Sequence, residues 1–512
     1  MSGTPTDRAT SALYDIEDSH NRIAIVGTGF SGIAAAVRLL EEGEDDFVLY
    51  ERSGEVGGTW RDNSYPGCAC DVPSHLYSFS FAPNPGWSRA FSPQAEIQAY
   101  LKRVADERGV TRRVRFHHNL NGAAWDEAAG LWRLNTSQGD RTADVLISAV
   151  GGLSEPSTPA LPGLESFSGA TFHSAEWDHG TDLSGKRVAV IGTGASAIQF
   201  VPEIQPVVAG LDLFQRTAPW VMPRRDRPVT GMERRIFKLV PAVQKLVRSA
   251  IYWGRELFVL PMLRPRFARR TEAMARAHIN GQVKDPVLRE KVTPGYSIGC
   301  KRILQSNTYY PALAEDNVEV VTSAISEIRP GGVLTADGTE HPADVIVFGT
   351  GFKVTDMPIG HRILGRDGQS LHEVWKGSPN AHNGTMVGNF PNFFMLMGPG
   401  TGLGHTSVTI MIEAQVGYVI QALRLIRGST AVEPTARAMA AWHDEIDRMS
   451  RNTVWTTGGC ASWYLDETGR NSTLWPTFAH LYRRRLSKFR PLEHHITSRL
   501  TEPVAEAEEA RA

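Results

Sequence analysis

Apolar positions along the chain fall twice into the same local grammar. The segment RIAIVGTGFSGIAAAVRLLEEGEDDFVLYER opens on a β-branched run, Ile23 to Val26, passes through glycines into a helix-period stretch, and closes on a second apolar run, Phe47 to Tyr50. That order predicts strand, helix, strand. KRVAVIGTGASAIQFVPEIQPVVAGLDLFQRT repeats it, with strands predicted at 188–191 and 211–215. Two further apolar runs, Val145–Ala149 and Val345–Phe348, each lead into Gly-rich sequence: GGLSEPSTPALPG after the first, Gly349-Thr350-Gly351 after the second. Both read as points where the chain crosses between domains. Residues 223–329 look largely helical and lack a Gly-rich loop.

The predicted fold class is α/β: two dinucleotide-binding (Rossmann-like) domains with a helical insertion. The first nucleotide domain is expected over 21–155 and again over 381–498, where it includes a C-terminal loop on the substrate side. The second is expected over 156–222 and 330–380, with the insertion over 223–329. Residues 1–20 and the tail 499–512 are expected to lack fixed structure.

Composition narrows the partners. The chain has 512 residues, 41% hydrophobic and 21% charged, and Lys+Arg 54 against Asp+Glu 55 leaves a formal net charge of −1. No global field recruits nucleic acid or an anionic membrane. The first twenty residues lack the basic start and apolar run of a secretory signal. The patch IYWGRELFVLPMLRPRF (251–267) is broken by charge and proline, so no spanning segment is expected. Four cysteines, Cys68, Cys70, Cys300 and Cys460, make no disulfide framework and suit a reducing cytoplasm; Cys460 is expected to be an unpaired buried filler. The adjacent pairs His117-His118 and His494-His495 lack metal-ligand spacing, so no metal site is expected.

Candidate chemistry starts at the turns. In GTGFSG, Gly27 permits the tight turn, Gly29 lets the backbone approach a pyrophosphate, and Gly32 lets the helix pack on its strand, with Phe30 opening the helix. Glu51 ends the second strand, where a carboxylate accepts hydrogen bonds from an adenosine ribose. In GTGASA, Gly192 and Gly194 make the same turn with Ala195 and Ser196 on the phosphate path, but the second strand runs into Arg216-Thr217 and not an acid. A guanidinium and a hydroxyl suit a 2′-phosphate, so NADPH is expected over NADH. Cys68 and Cys70, two residues apart, point to opposite sides of an extended chain and are poorly placed for a redox disulfide.

These residues carry a resemblance. Gly57-Gly58-x-Trp60-x4-Tyr65-Pro66-Gly67-x3-Asp71 is similar to the long fingerprint of type I Baeyer-Villiger monooxygenases. Phe167-x-Gly169-x3-His173-x3-Trp177-Asp178 resembles the shorter one, which often ends in Trp-Pro. The likeness runs on through both nucleotide motifs, the Gly349–Gly351 crossing and NFFMLMGPGTGLGHTS (392–407), covering most of residues 20–480.

The resemblance implies FAD and NADPH as cofactors, with O2 and a small-molecule ketone as substrates. A C(4a)-peroxyflavin would attack the carbonyl to give an ester or lactone. It assigns Arg302 as the catalytic guanidinium, Asp71 as the acid that orients it, and Lys301 as a contact to the NADPH 2′-phosphate. Gly58, Thr59, Trp60 and Tyr65 would wall the flavin, and His173 and Trp177 would serve a hinge between the nucleotide domains. Trp463, Tyr464 and Trp475 are candidates for the substrate pocket. Oxygenation of nitrogen or sulfur, or a non-catalytic NADPH-responsive protein of the same fold, stay open as alternatives.

Overall fold

The computed structural model describes residues 20–426 and 430–498; the expected unstructured start, apart from His20, and the tail 499–512 lie outside them. Each predicted βαβ unit forms. The strand His20–Val26 pairs in parallel with Phe47–Tyr50 on one side and with Gly139–Ser148 on the other, and the helix Phe30–Glu41 bridges the first two. An antiparallel meander (Leu120–Asp126, Leu131–Thr136) extends that sheet to eight strands, and the late strand Phe393–Met395 joins it beside Gly139–Ser148. The second sheet is parallel throughout, in the order Val318–Val321, Gly210–Phe214, Arg187–Ile191, Val345–Phe348, Ala170–His173. Its strands read as near-continuous apolar runs because helices and loops cover both faces.

The two crossings meet. Ser157 donates its N–H to Gly351 O at 2.9 Å and Lys353 to Glu155 O at 3.0 Å, so the segments after Ala149 and after Phe348 run side by side between the sheets. A Cβ on Gly27 would fall 2.8 Å from Ala149 O, and one on Gly192 would fall 2.5 Å from Gly349 O. Each nucleotide turn is thus pressed against a crossing, which couples the cofactor cradles to the joint between domains.

Two expected boundaries move. Helices of the insertion end at Val292, and Val318–Val321 returns to the second sheet as its edge strand, so the insertion closes well before 329. Ile363–Leu364 pairs with Leu120–Asp126 in the first sheet, so the chain is back in the first domain before 380. Both strands are short, and only a partner distant in sequence gives them a register.

Cysteine pairing is the larger correction. Cys300 and Cys460, separated by 160 residues, form a disulfide, which overturns the expectation of an unpaired Cys460. It ties the segment leading into Lys301-Arg302 to the C-terminal loop, where Ser297 also donates its N–H to Gly458 O at 3.0 Å. Cys68 and Cys70 are free and buried. Titration of the unfolded protein should therefore find two reactive thiols before reduction and four after it, and four without reductant would rule the bridge out.

Candidate active site

The first cradle follows from backbone sterics. Gly27 has φ +100°, and a Cβ on Gly32 would lie 2.0 Å from Gly27 O, so the helix starting at Phe30 can sit this close to its strand only without side chains there. The helix N-terminus faces a cavity of about 240 Å³ bordered by Gly27–Ser31, Glu51, Gly57–Asp62 and, from the late chain, Met397 and Val408. Unpaired N–H groups there suit phosphate oxygens. Glu51 is buried; its carboxylate accepts from Thr28 Oγ1 at 2.5 Å and Ser53 N at 3.0 Å, and pairs with Arg61 Nη1 at 2.9 Å. Arg61 was not among the residues read from the sequence, although it stands in GGTWRD. Gly58, with φ +55°, lies against Gly29, and Thr59 and Trp60 complete that wall. Trp60 donates its indole N–H to Tyr77 Oη at 3.0 Å, and Tyr77 packs edge-on to Phe30 at 5.0 Å. A cradle whose turn leaves no room for a Cβ at Gly27 or Gly32 and that presents a buried carboxylate fits a dinucleotide flavin.

Tyr65 stands elsewhere. Its hydroxyl donates to Gln199 Oε1 at 3.0 Å on the helix Ala197–Ile204 of the second domain, and the amide of Gln199 donates to Ala69 O at 2.9 Å. Trp177 packs on Phe200 of the same helix at 5.3 Å, and Ser64 Oγ lies 2.8 Å from His179 Nε2. The two fingerprints, far apart in sequence, therefore meet on one helix. His173 is buried beside the second crossing, its ring 5.9 Å from that of Phe352, with burial holding its pKa below the usual value.

In the second cradle Gly192 has φ +109°, Gly194 faces Gly349 O, and Ala195-Ser196 lead into the Ala197–Ile204 helix. Arg216 is exposed at the strand end beside Thr217, whose carbonyl accepts from Thr193 Oγ1 at 3.2 Å. Lys301, coming from the far side of the insertion, stands over the Tyr296 ring at 5.3 Å. Burial first, and the positive charge of Arg216 second, hold the Lys301 ammonium below its ordinary pKa. The two cations are thus near enough to repel each other.

Asp71 and Arg302 meet across 231 residues: Arg302 Nε donates to Oδ2 and Nη2 to Oδ1, each at 2.8 Å. The fork is bidentate, and the side chains are 28% and 30% exposed. Burial would raise the Asp71 carboxyl, but Arg302 overrides it and holds the group below its ordinary 3.8, with Arg255 and Arg224 adding to the pull. Asp71 in turn holds Arg302 further into its charged form. The thiols of the same stretch are not poised to react, since burial pushes Cys68 up to about 12 and Cys70 higher still.

Of the C-terminal aromatics, Tyr464 is buried near Arg302, its hydroxyl making no hydrogen bond among the described residues, and burial pushes that hydroxyl up to about 12. Trp475 is a core residue stacked on Trp442 at 5.8 Å, and Trp463 is 42% exposed. Gln199, Tyr77 and Arg255 were also not anticipated; no motif names them, and only the packing brings them in. Metal-type donors converge at an exposed spot, Asp356 with His361 and His372, which adjacency of histidines in sequence could not reveal.

The family model "Flavin-binding monooxygenase-like" matches residues 20–237. A protein of Streptomyces coelicolor named Baeyer-Villiger monooxygenase is 52% identical over 95% of this chain and 94% of its own length. A Pseudomonas aeruginosa protein of the same name is 48% identical over 95% and 93%. Among solved structures, cyclohexanone monooxygenase from Rhodococcus sp. Phi1 bound to NADP+ superposes with a TM-score of 0.83 at 29% identity, covering 94% of this chain and 100% of that one.

Because the native Asp71 carboxyl is held below its unfolded value, its stabilising contribution is complete above about pH 4 and is lost as the pH falls through the native value. Asp71→Asn should thus cost about 1–3 kcal/mol at neutral pH by leaving the guanidinium half-paired. Denaturant midpoints for the two proteins should converge only below pH 4, and a gap that closes near neutrality would contradict the pairing.

Proposed function

Since the chain belongs to the Baeyer-Villiger monooxygenases, we propose that it holds FAD in the first cradle and NADPH in the second and inserts one atom of O2 beside the carbonyl of a small-molecule ketone, giving an ester or lactone. The observation that carries this reading is the Asp71–Arg302 fork, a permanent cation held by a carboxylate at the place where the two domains and the insertion converge. FAD, when bound, supplies electron transfer from NADPH to O2; the chain supplies position and charge.

Arg302 stays protonated at any working pH and offers donors in a rigid plane. As the ketone carbon is attacked, negative charge grows on the carbonyl oxygen, and a guanidinium already in place stabilises that charge without reorganising. Asp71 occupies one edge of the fork and so aims the remaining donors, while moderating the pull of the cation. Glu51 takes the ribose of the flavin dinucleotide, Gly58, Thr59 and Trp60 wall its cradle, and Arg216, Thr217 and Lys301 take the 2′-phosphate. Tyr65 acts at one remove, keeping the long fingerprint loop on the second domain through Gln199. The reading takes a ketone as the physiological substrate.

Arg302→Ala should retain FAD and still oxidise NADPH, yet lose ester formation by about a hundredfold or more; product analysis that finds normal ester output would remove Arg302 from its role. For Arg216→Ala, KM for NADPH should rise about tenfold while KM for NADH stays put. Steady-state kinetics showing the same rise for both cofactors would count against a 2′-phosphate contact.

A further inference from the structure

The helix Pro241–Leu257 in the insertion is turned inside out. Three of its polar residues turn inward: Gln244 donates to Asn84 O at 2.7 Å, Arg248 donates to His75 O at 2.9 Å and Leu76 O at 3.0 Å, and Glu256 accepts from His480 N at 3.0 Å. The side facing solvent is apolar. Val243, Leu246, Ala250, Trp253 and Leu257 follow one another at three- and four-residue steps, which puts them on one stripe, and Leu239 at the end of the preceding helix leads into it. Leu239 and Leu246 are each 70% exposed, Leu257 62% and Trp253 53%. The preceding helix, Gly231–Leu239, adds Met232 at 71% and Ile236 at 40% with the same spacing. A continuous exposed stripe of this kind marks a surface that is covered in use.

Charge identifies the cover. Residues 223–292 hold 17 Lys and Arg against 6 Asp and Glu, whereas the whole chain nets −1. The neutrality that spoke against an anionic membrane is therefore a sum over a segregated surface. Arg234, Arg235, Lys238 and Lys245 are exposed beside the apolar stripe, without ion-pair partners among the described residues. A second copy of this face would bring two strongly basic surfaces together. No helix among the described residues is long and apolar enough to cross a membrane. An amphipathic helix with Leu and Trp on one side and Lys and Arg on its flanks instead lies in the plane of a lipid interface.

We propose that the helical insertion docks this protein on an anionic lipid surface, with the stripe from Met232 to Leu257 sunk among the acyl chains and the flanking basic residues on the headgroups. The docked helix is also part of the cap over the site, since Arg255 on its inner side acts electrostatically on Asp71 and Arg302. A lipid-dissolved substrate would then meet the enzyme on the side where the site is capped.

Flotation of the holoenzyme with vesicles of phosphatidylglycerol and phosphatidylcholine, and with vesicles of phosphatidylcholine alone, tests this. Binding should require the anionic lipid and weaken with salt. Leu239→Glu combined with Leu246→Glu should reduce it at least tenfold with an unchanged flavin spectrum, and Arg235→Glu with Lys238→Glu should reduce it by about fivefold or more per charge removed. Failure of the wild-type protein to float with anionic vesicles would overturn the proposal, as would undiminished flotation of both variants. A dimer that forms without lipid and is broken by the leucine variant would overturn it in favour of a second copy, and flotation gained only after removal of residues 499–512 would assign the stripe to the chain's own tail.

Discussion

Everything at the centre of this molecule is arranged around keeping one guanidinium charged, aimed and only partly satisfied. Arg302 cannot shed its proton, so the surrounding protein must supply a countercharge without consuming every donor. Asp71 does this from one edge, with two bonds of 2.8 Å. A carboxylate on both edges would neutralise the cation, and none would leave it free to swing toward water. The arrangement costs desolvation of both groups, and it is tolerable because the pair retains partial access to solvent.

The pair exists only if three separate units hold station. Asp71 ends the long fingerprint loop of the first domain, Arg302 follows the helical insertion, and Tyr464 reaches them from the C-terminal loop. Gln199 fastens the first of these to the second domain through three contacts with the fingerprint loop, to the Tyr65 hydroxyl and to the amide and carbonyl of Ala69. The Cys300–Cys460 bridge fastens the other two together. Both fingerprints thus act by packing against the Ala197–Ile204 helix, with Trp177 on Phe200 as the apolar half of the same joint. Movement of one nucleotide domain against the other would be felt first at that helix, and through Asp71 at the guanidinium.

Local pattern made the βαβ units and the two crossings legible, because a parallel strand buried on both faces writes its whole length in apolar residues and its turn in glycine. Asp71 and Arg302 were legible as motif members, but their contact was not, since 231 residues separate them. The disulfide was hidden for the same reason: spacing alone cannot choose a partner for Cys460. The bond from the Tyr65 hydroxyl to Gln199 was equally illegible, because an aromatic beside a glycine turn suits either a ligand or a neighbouring domain and 134 residues separate the two. The boundaries near 329 and 380 moved because Val318–Val321 and Ile363–Leu364 are too short to announce which sheet they join.

The Pro241–Leu257 helix shows where periodicity itself misleads. An amphipathic helix is ordinarily read with its apolar stripe toward the core, because burying apolar area is the main driving force and burying polar groups is costly. That cost is offset where a buried polar group finds partners, and here Gln244 and Arg248 find them on the 75–84 loop and Glu256 at His480. With these three side chains bonded inside, the apolar side is left for an external surface. The period of the pattern therefore fixes which residues share a face, whereas the direction of that face depends on whether the interior offers carbonyls and amides to receive the polar one. Over this active site it does, and the cap that covers a charged pair is consequently apolar toward the outside.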